Sequence, residues 1–267
     1  MIAYKVYPPF QIGPFSIYPW GIMVSLGFIL GGWLFLAEAK KKKIPADAAL
    51  NIILIALVGA VLGARLWVVF EYLGYFVQHP LEILAVWKGG MAFWGGFLVS
   101  LGLVCLYLKK KNLNFGEVSD SVAPSLALGM FLGRIGNFLS GHHLGIITNL
   151  PWGIEYLGTV RHPASLYEAL NALLLFLALL LLRSKVKRKG VLFLVFLFWY
   201  SGVRFGLDFL RNSDLPTADP RYFGHLTGAQ MVCMVILAVV SFWVVRIKIK
   251  SQKQRDLTPT LSSKERG

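Results

Sequence analysis

Residues 129–145, GMFLGRIGNFLSGHHLG, carry more chemistry than an apolar stretch requires. Arg134 and Asn137 stand at i and i+3, so a helix displays both on one face. A guanidinium there can grip a phosphate through two donors, with the Asn adding neutral hydrogen bonds. The plainer alternative is an arginine that snorkels to a membrane interface. His142 and His143 follow, either as bases that titrate near neutral pH or as hydrogen-bonding surface groups. Residues 200–211, YSGVRFGLDFLR, set Arg204, Asp208 and Arg211 along one helical stripe. Two cations against one anion leave positive charge suited to an anionic ligand, whereas a self-neutralising ladder is the competing reading.

Residues 161–170, RHPASLYEAL, place His162 and Pro163 at a helix start, with Tyr167 and Glu168 one turn inside it. Glu168 is open to three uses: a general base, an acceptor that orients an arginine, or a buried protonated carboxyl. Arg65, within LGARLWVVF, is a further cation inside an apolar run and a further candidate for a phosphate. Gln230, in LTGAQM, is read as an interhelical hydrogen-bond donor within reach of a pocket. Asp120 is read as a structural partner near a helix start. In residues 88–97, KGGMAFWGGF, two glycine pairs flank Trp94 and suit a tight turn or a close backbone approach to a ligand. Trp94 itself fits an interfacial anchor or a substrate contact.

The elements that must hold these groups follow from hydropathy. The chain has 267 residues, 56% hydrophobic and 15% charged, with mean hydropathy +0.63. That departs from the soluble average of roughly 25% charged and predicts an integral membrane protein. A bilayer span needs about 20 mostly apolar residues. Seven stretches qualify: residues 17–39, 47–72, 91–108, 119–140, 165–182, 191–210 and 227–247. The fold class expected is all-α and polytopic, with one integral membrane domain over 1–247 and a disordered basic tail over 248–267.

Most of the 27 Lys and Arg residues fall in clusters at 40–43, 109–111, 183–189 and 246–266, after the first, third, fifth and seventh spans. The other connections hold few cations, namely Lys88, Arg161, Arg211 and Arg221. The positive-inside rule then sets the N-terminus outside and the C-terminus in the cytoplasm. Because the +14 net charge sits at span ends, it reads as topology signal and anionic-lipid contact, with no nucleic-acid partner expected. Residues 1–20 lack the basic-then-apolar order of a cleavable signal peptide. Cys105 and Cys233 lie in apolar runs, so neither a disulfide framework nor a metal site is expected. The outer connection 141–164, rich in Gly, Pro, His and aromatics, points the chemistry toward the outer face.

Taken together, these residues resemble the phosphatidylglycerol–prolipoprotein diacylglyceryl transferases of bacterial inner membranes. The likeness runs from PWGIM at the first span to TGAQM at the last. It is most specific at GRIGNFLSGHHLG, where Gly133, Arg134, Gly136, Asn137, Phe138, Gly141 and Gly145 match the family signature. RHPASLYE, VRFGLDFLR and LGARLWVV are similar to three further family segments.

The resemblance implies transfer of the diacylglyceryl group of phosphatidylglycerol, a membrane lipid, to the lipobox cysteine of a prolipoprotein signal peptide. A thioether forms and glycerol phosphate leaves. Arg134 and Arg204 would hold the phosphodiester, with Arg65 and Arg211 in support. The chemistry implies neither a metal nor an organic cofactor. The sequence departs from the family pattern at Trp94, where the family has a His; at His142, where it has an acidic residue; and at Ser140, where it has an Asn. The thiol's base then falls to His142, His143 or Glu168, or the arginine field lowers the thiol pKa by itself. The alternative is an altered paralogue that binds or moves phospholipid without transferring it. A small-molecule transporter is the third class, against which stands the lack of a repeat between the two halves.

Overall fold

Apolar runs of bilayer length become helices at every expected place. In the computed structural model, residues 2–13, 15–85, 89–215, 218–223 and 225–264 are described. Lys88 and the end of the tail lie outside these. Helix α1 spans Pro19–Lys41 and α2 spans Ala46–Glu71. The short α3, Leu73–Gln78, and a 3-10 turn at Pro80–Leu84 follow. Then come α4 (Phe93–Lys110), α5 (Phe115–Leu139), α6 (Ala164–Leu182), α7 (Val191–Leu207) and α8 (Gly228–Lys264). Seven of these are long and apolar enough to cross a membrane, so the chain is a polytopic all-α membrane protein. Helix α8 continues in helical register beyond residue 247, to Lys264.

Local sequence explains the helix ends. Pro19 occupies the first turn of α1, where its missing N–H costs nothing, and lysines close its last turn. Gly190 supplies the left-handed residue (φ 85°) before α7. Pro124 lies inside α5 and is fully buried, as membrane helices tolerate when neighbours surround the break.

The chain divides into two compact units, Gly31–Ser125 and the remainder. Within Gly31–Ser125, α2 and α4 pack backbone to backbone. A Cβ at Gly63 would collide with the Gly95 carbonyl oxygen, and one at Gly59 would stand 2.9 Å from the Ser100 Cα. Small residues permit this approach, and van der Waals contact rather than hydrophobicity drives it in lipid. The Ser100 hydroxyl adds a 3.0 Å bond to the Ala56 carbonyl. Phe35, Ala39, Ile44, Ala49, Ile52, Leu108 and Val118 form the apolar core of this unit.

The second unit, Met1–Leu30 with Leu126–Gly267, holds α6, α7 and α8 and the ends of α1 and α5 that carry Trp20 and Arg134. Gly136 lets α5 approach α1, since a Cβ there would meet the Met23 Cβ at 2.9 Å and the Trp20 Cα at 3.1 Å. Its loops contain strands that hydropathy does not announce. Strand β1 (Ile2–Ala3) pairs in parallel with β4 (Ile154–Tyr156), which pairs antiparallel with β5 (Thr159–Arg161). Leu157 (φ 49°) and Gly158 (φ 74°) make the two-residue turn between β4 and β5, both in the left-handed region such hairpins require. Two further hairpins pair β2 (Phe10–Ile12) with β3 (Phe15–Ile17) and β6 (Arg221–Tyr222) with β7 (Leu226–Thr227).

Candidate active site

Helices α5, α6 and α7 each contribute charge to one buried cluster. Glu168 on α6 stands at its centre. Its Oε2 lies 2.5 Å from Arg134 Nη1 on α5, and its Oε1 accepts from Arg204 Nη1 on α7. Arg204 Nη2 reaches Asp208 Oδ1 at 2.8 Å, at the residue that closes α7 and opens a 3-10 turn over Asp208–Leu210. Arg211 stands 3.8 Å from both Glu168 and Asp208 and pairs with Asp219. Glu168, Arg204, Asp208 and Arg211 are all buried. In low dielectric each such charge demands a partner, which is why the stripe on α7 and the lone carboxylate of α6 meet.

The sequence reading expects a surplus of positive charge from Arg204, Asp208 and Arg211. The structure corrects the balance, because Glu168 and Asp219 join the ladder. Three guanidiniums then face three carboxylates. Of the three arginines, Arg134 has the most exposed side chain, at 19% against 8% and 5% for Arg204 and Arg211. Arg211 also keeps Nε and Nη2 without a hydrogen bond among the described residues.

A cleft of about 420 Å³ opens beside Arg134, lined by Trp20, Val24, Met130, Gly133, Asn137, His142 and His143. A second, smaller pocket shares Met130 and Arg134 with the cleft and adds Glu168, Asn171, Tyr200 and Arg204. Sequence reasoning missed Tyr200. Tyr200 was within reach of it, since it lies four residues before Arg204 on the same stripe of α7.

The segment after α5 is held by its backbone. Gly141 (φ 70°) and His143 (φ 58°) are left-handed, a conformation costing about 1–2 kcal/mol at a non-glycine residue. The His142 N–H donates to the Asn137 carbonyl at 2.9 Å. The buried Ser165 hydroxyl reaches the carbonyls of His142 (2.7 Å) and His143 (3.1 Å). Gly145 donates to the His162 carbonyl, Ile146 to the Leu210 carbonyl, and the Asn212 side chain to the Leu144 carbonyl at 2.7 Å. Arg161 seals this seam, donating to the Gly145 carbonyl at 3.3 Å and to both oxygens of Asp214. The same pair holds the Asp214 carboxyl below its usual range and raises the Arg161 guanidinium. The N-terminal segment closes the other edge. Tyr4 donates to the Phe138 carbonyl, and burial pushes its phenol up to about 12.

Of the residues singled out from sequence, Arg134, Asn137, His142 and His143 share the cleft, with Glu168, Arg204, Asp208 and Arg211 behind it. Burial, followed by Arg211, Arg134, Arg204 and His142, pushes His143 down to about 3. Gly145 serves the seam, both of its backbone polar groups being used internally. His162 and Tyr167 hydrogen-bond each other at 3.2 Å, and Tyr167 accepts from the Trp152 indole at 2.8 Å, so they brace the outer loop. Gln230 caps the start of α8, accepting from the Thr227 N–H at 2.9 Å and donating to the Phe205 carbonyl at 3.2 Å. Thr227 in turn donates to Asp208.

Arg65 and Trp94 belong to the unit Gly31–Ser125. The Arg65 guanidinium donates to the carbonyls of Glu82, Ile83, Gly89 and Gly90 and lies over the Phe76 ring. It thereby pins the connection between α2 and α4. Trp94 sits in the first turn of α4 and is exposed, edge-on to Phe93 and Phe97.

Seven helices of membrane-spanning length, and within the second unit a cleft that presents guanidinium, amide and imidazole, define a polytopic membrane protein whose cleft suits an anionic ligand. A profile described as prolipoprotein diacylglyceryl transferase matches residues 9–246. Relatives named phosphatidylglycerol–prolipoprotein diacylglyceryl transferase are similar over nearly their whole length. That of Nitratidesulfovibrio vulgaris strain DP4 is 34% identical over 88% of this chain and 91% of its own. Those of Geobacillus kaustophilus (34%, over 88% and 90%) and Geobacter sulfurreducens (35%, over 86% and 93%) are comparable. The chain belongs to the prolipoprotein diacylglyceryl transferase family.

Proposed function

We propose that this chain transfers the diacylglyceryl group of phosphatidylglycerol to the lipobox cysteine thiol of prolipoproteins. The reaction forms a C–S bond, breaks the C–O bond to phosphorus, and releases glycerol phosphate with the bonding electron pair. The observation that carries this reading is Arg134 in the cleft, backed by the Glu168–Arg204–Asp208–Arg211 cluster. Arg134 binds the phosphodiester, assisted by Asn137. The cluster holds Arg134 in place and supplies cations that stabilise charge on the departing phosphate. Pairing with internal carboxylates keeps the guanidiniums ordered, so binding a lipid requires little further immobilisation.

The basic clusters at helix ends support an N-terminus outside and a cytoplasmic C-terminus in a bacterial inner membrane. In that orientation the end of α5 that carries the cleft lies toward the outer face, where signal peptides emerge. The decisive experiment is a reconstitution. Purified protein, phosphatidylglycerol and a lipobox peptide should yield a peptide heavier by a diacylglyceryl group, and an unmodified peptide would refute the proposal.

A further inference from the structure

The proposed transfer needs a group to take the thiol proton, and the second unit offers three in or beside the cleft: His142, His143 and Glu168. Glu168 is committed, since both of its oxygens are taken up by guanidiniums of Arg134 and Arg204. His142 is exposed, whereas His143 is half-buried and lines the cleft beside Arg134 and Asn137. The backbone of His143 is fixed in a left-handed conformation (φ 58°) by Ser165, whose hydroxyl reaches its carbonyl. A strained, over-determined residue facing a cleft is the mark of a positioned side chain. The groups that act on it electrostatically are Arg211 beyond α7, Arg134 from α5, Arg204 from α7 and the neighbouring His142, and Asp208 and Asp219 pair with the arginines of the cluster behind them. Helix α6 adds Ser165 and, already paired, Glu168.

Resting on the transferase reading, we propose that His143 accepts the thiol proton, and that it becomes an effective base only once an anionic phosphodiester occupies the arginine cluster. Without that anion, burial first and the guanidiniums of Arg211, Arg134 and Arg204 second hold His143 neutral and weakly basic. The phosphodiester brings a negative charge against the same guanidiniums, which offsets their share of the penalty on an imidazolium. The S–H bond then breaks and an N–H bond forms on His143. The thiolate attacks carbon, and the imidazolium returns its proton to the glycerol phosphate or to water. The base is thus switched on by the lipid it serves.

His143→Asn preserves the backbone, because Asn also adopts the left-handed region. It should lower kcat by about 100-fold or more while phosphatidylglycerol binding persists. His143→Gly, which leaves an open site at a comfortable φ, should regain activity on addition of imidazole. Histidine-selective NMR in detergent should show the His143 midpoint rising with short-chain phosphatidylglycerol and staying put with phosphatidylcholine. Wild-type transfer with His143→Asn within about 3-fold of it, or a larger loss in His142→Gln, would overturn the assignment. An unmoved His143 midpoint would overturn the lipid switch. A lipid-responsive His143 in a wild-type protein that transfers nothing would instead refute the transferase reading, and the base role with it.

Discussion

Gly145→Ala tests how the seam positions the cleft. A Cβ at this position would stand 2.5 Å from the His162 Cβ, 2.8 Å from the His162 carbonyl oxygen and 2.8 Å from the Leu210 carbonyl oxygen. Two of the three obstacles are backbone, so no side-chain rotation relieves them, and overpacking of this kind costs about 1–3 kcal/mol. Relief requires the segments at His162 and Leu210 to move apart, which strains the bonds from Gly145 to His162 and from Ile146 to Leu210. Each buried hydrogen bond lost adds roughly 1 kcal/mol. The displaced segment carries His142 and His143, and a shift of about 1 Å in a catalytic group can cost on the order of 100-fold in rate. Thioether formation and protease sensitivity near residue 145 should both be measured. Gly202→Ala, where a Cβ has open space, is the control. Activity in Gly145→Ala within about 3-fold of the control would refute the positioning argument.

Other perturbations separate binding, packing and protonation. Arg134→Ala should reduce kcat/KM by about 100-fold or more with folding retained, since Glu168 still has Arg204 as a partner. Arg134→Lys should recover only part of the loss, because an ammonium cannot make the bidentate contact. Glu168→Gln should destabilise the fold by about 3–5 kcal/mol, the cost of breaking a buried ion pair from one side, visible as a lower thermal midpoint in detergent. For His143 the folded pKa lies below the unfolded value, so the unfolded chain binds the extra proton between about 3 and 6.5. Its contribution to stability is therefore complete above the unfolded pKa and is lost as pH falls, and His143→Asn should flatten the decline in thermal midpoint between pH 7 and pH 5.

The seven helices were legible because each is an uninterrupted apolar run, which in lipid has one backbone solution. The cleft residues on one helix were legible too, since Arg134 and Asn137, like Arg204 and Asp208, follow helical spacing. Pairings between helices were not. Nothing local to Glu168 says that Arg134, 34 residues earlier, and Arg204, 36 later, share its two oxygens. Asp219 was invisible for the same reason, and with it the charge balance of the ladder. Gly145 reads as a signature glycine, yet its need for close backbone approach emerges only when His162 and Leu210 arrive on either side. The short strands escaped notice because two- and three-residue pairings leave no periodicity to detect. Arg65 looked like a phosphate ligand because an intramembrane cation invites that reading. The carbonyls of the 82–90 connection that satisfy it are main-chain atoms, to which side-chain patterns are blind.

The central claim is that the Arg134 cleft transfers a diacylglyceryl group from lipid to thiol. Mass spectrometry of a lipobox peptide incubated with purified protein and phosphatidylglycerol tests it most directly. The account predicts a cysteine-linked diacylglyceryl adduct, glycerol phosphate in equal amount, and loss of both in Arg134→Ala. An unmodified peptide, or an adduct formed equally well without Arg134, would contradict it.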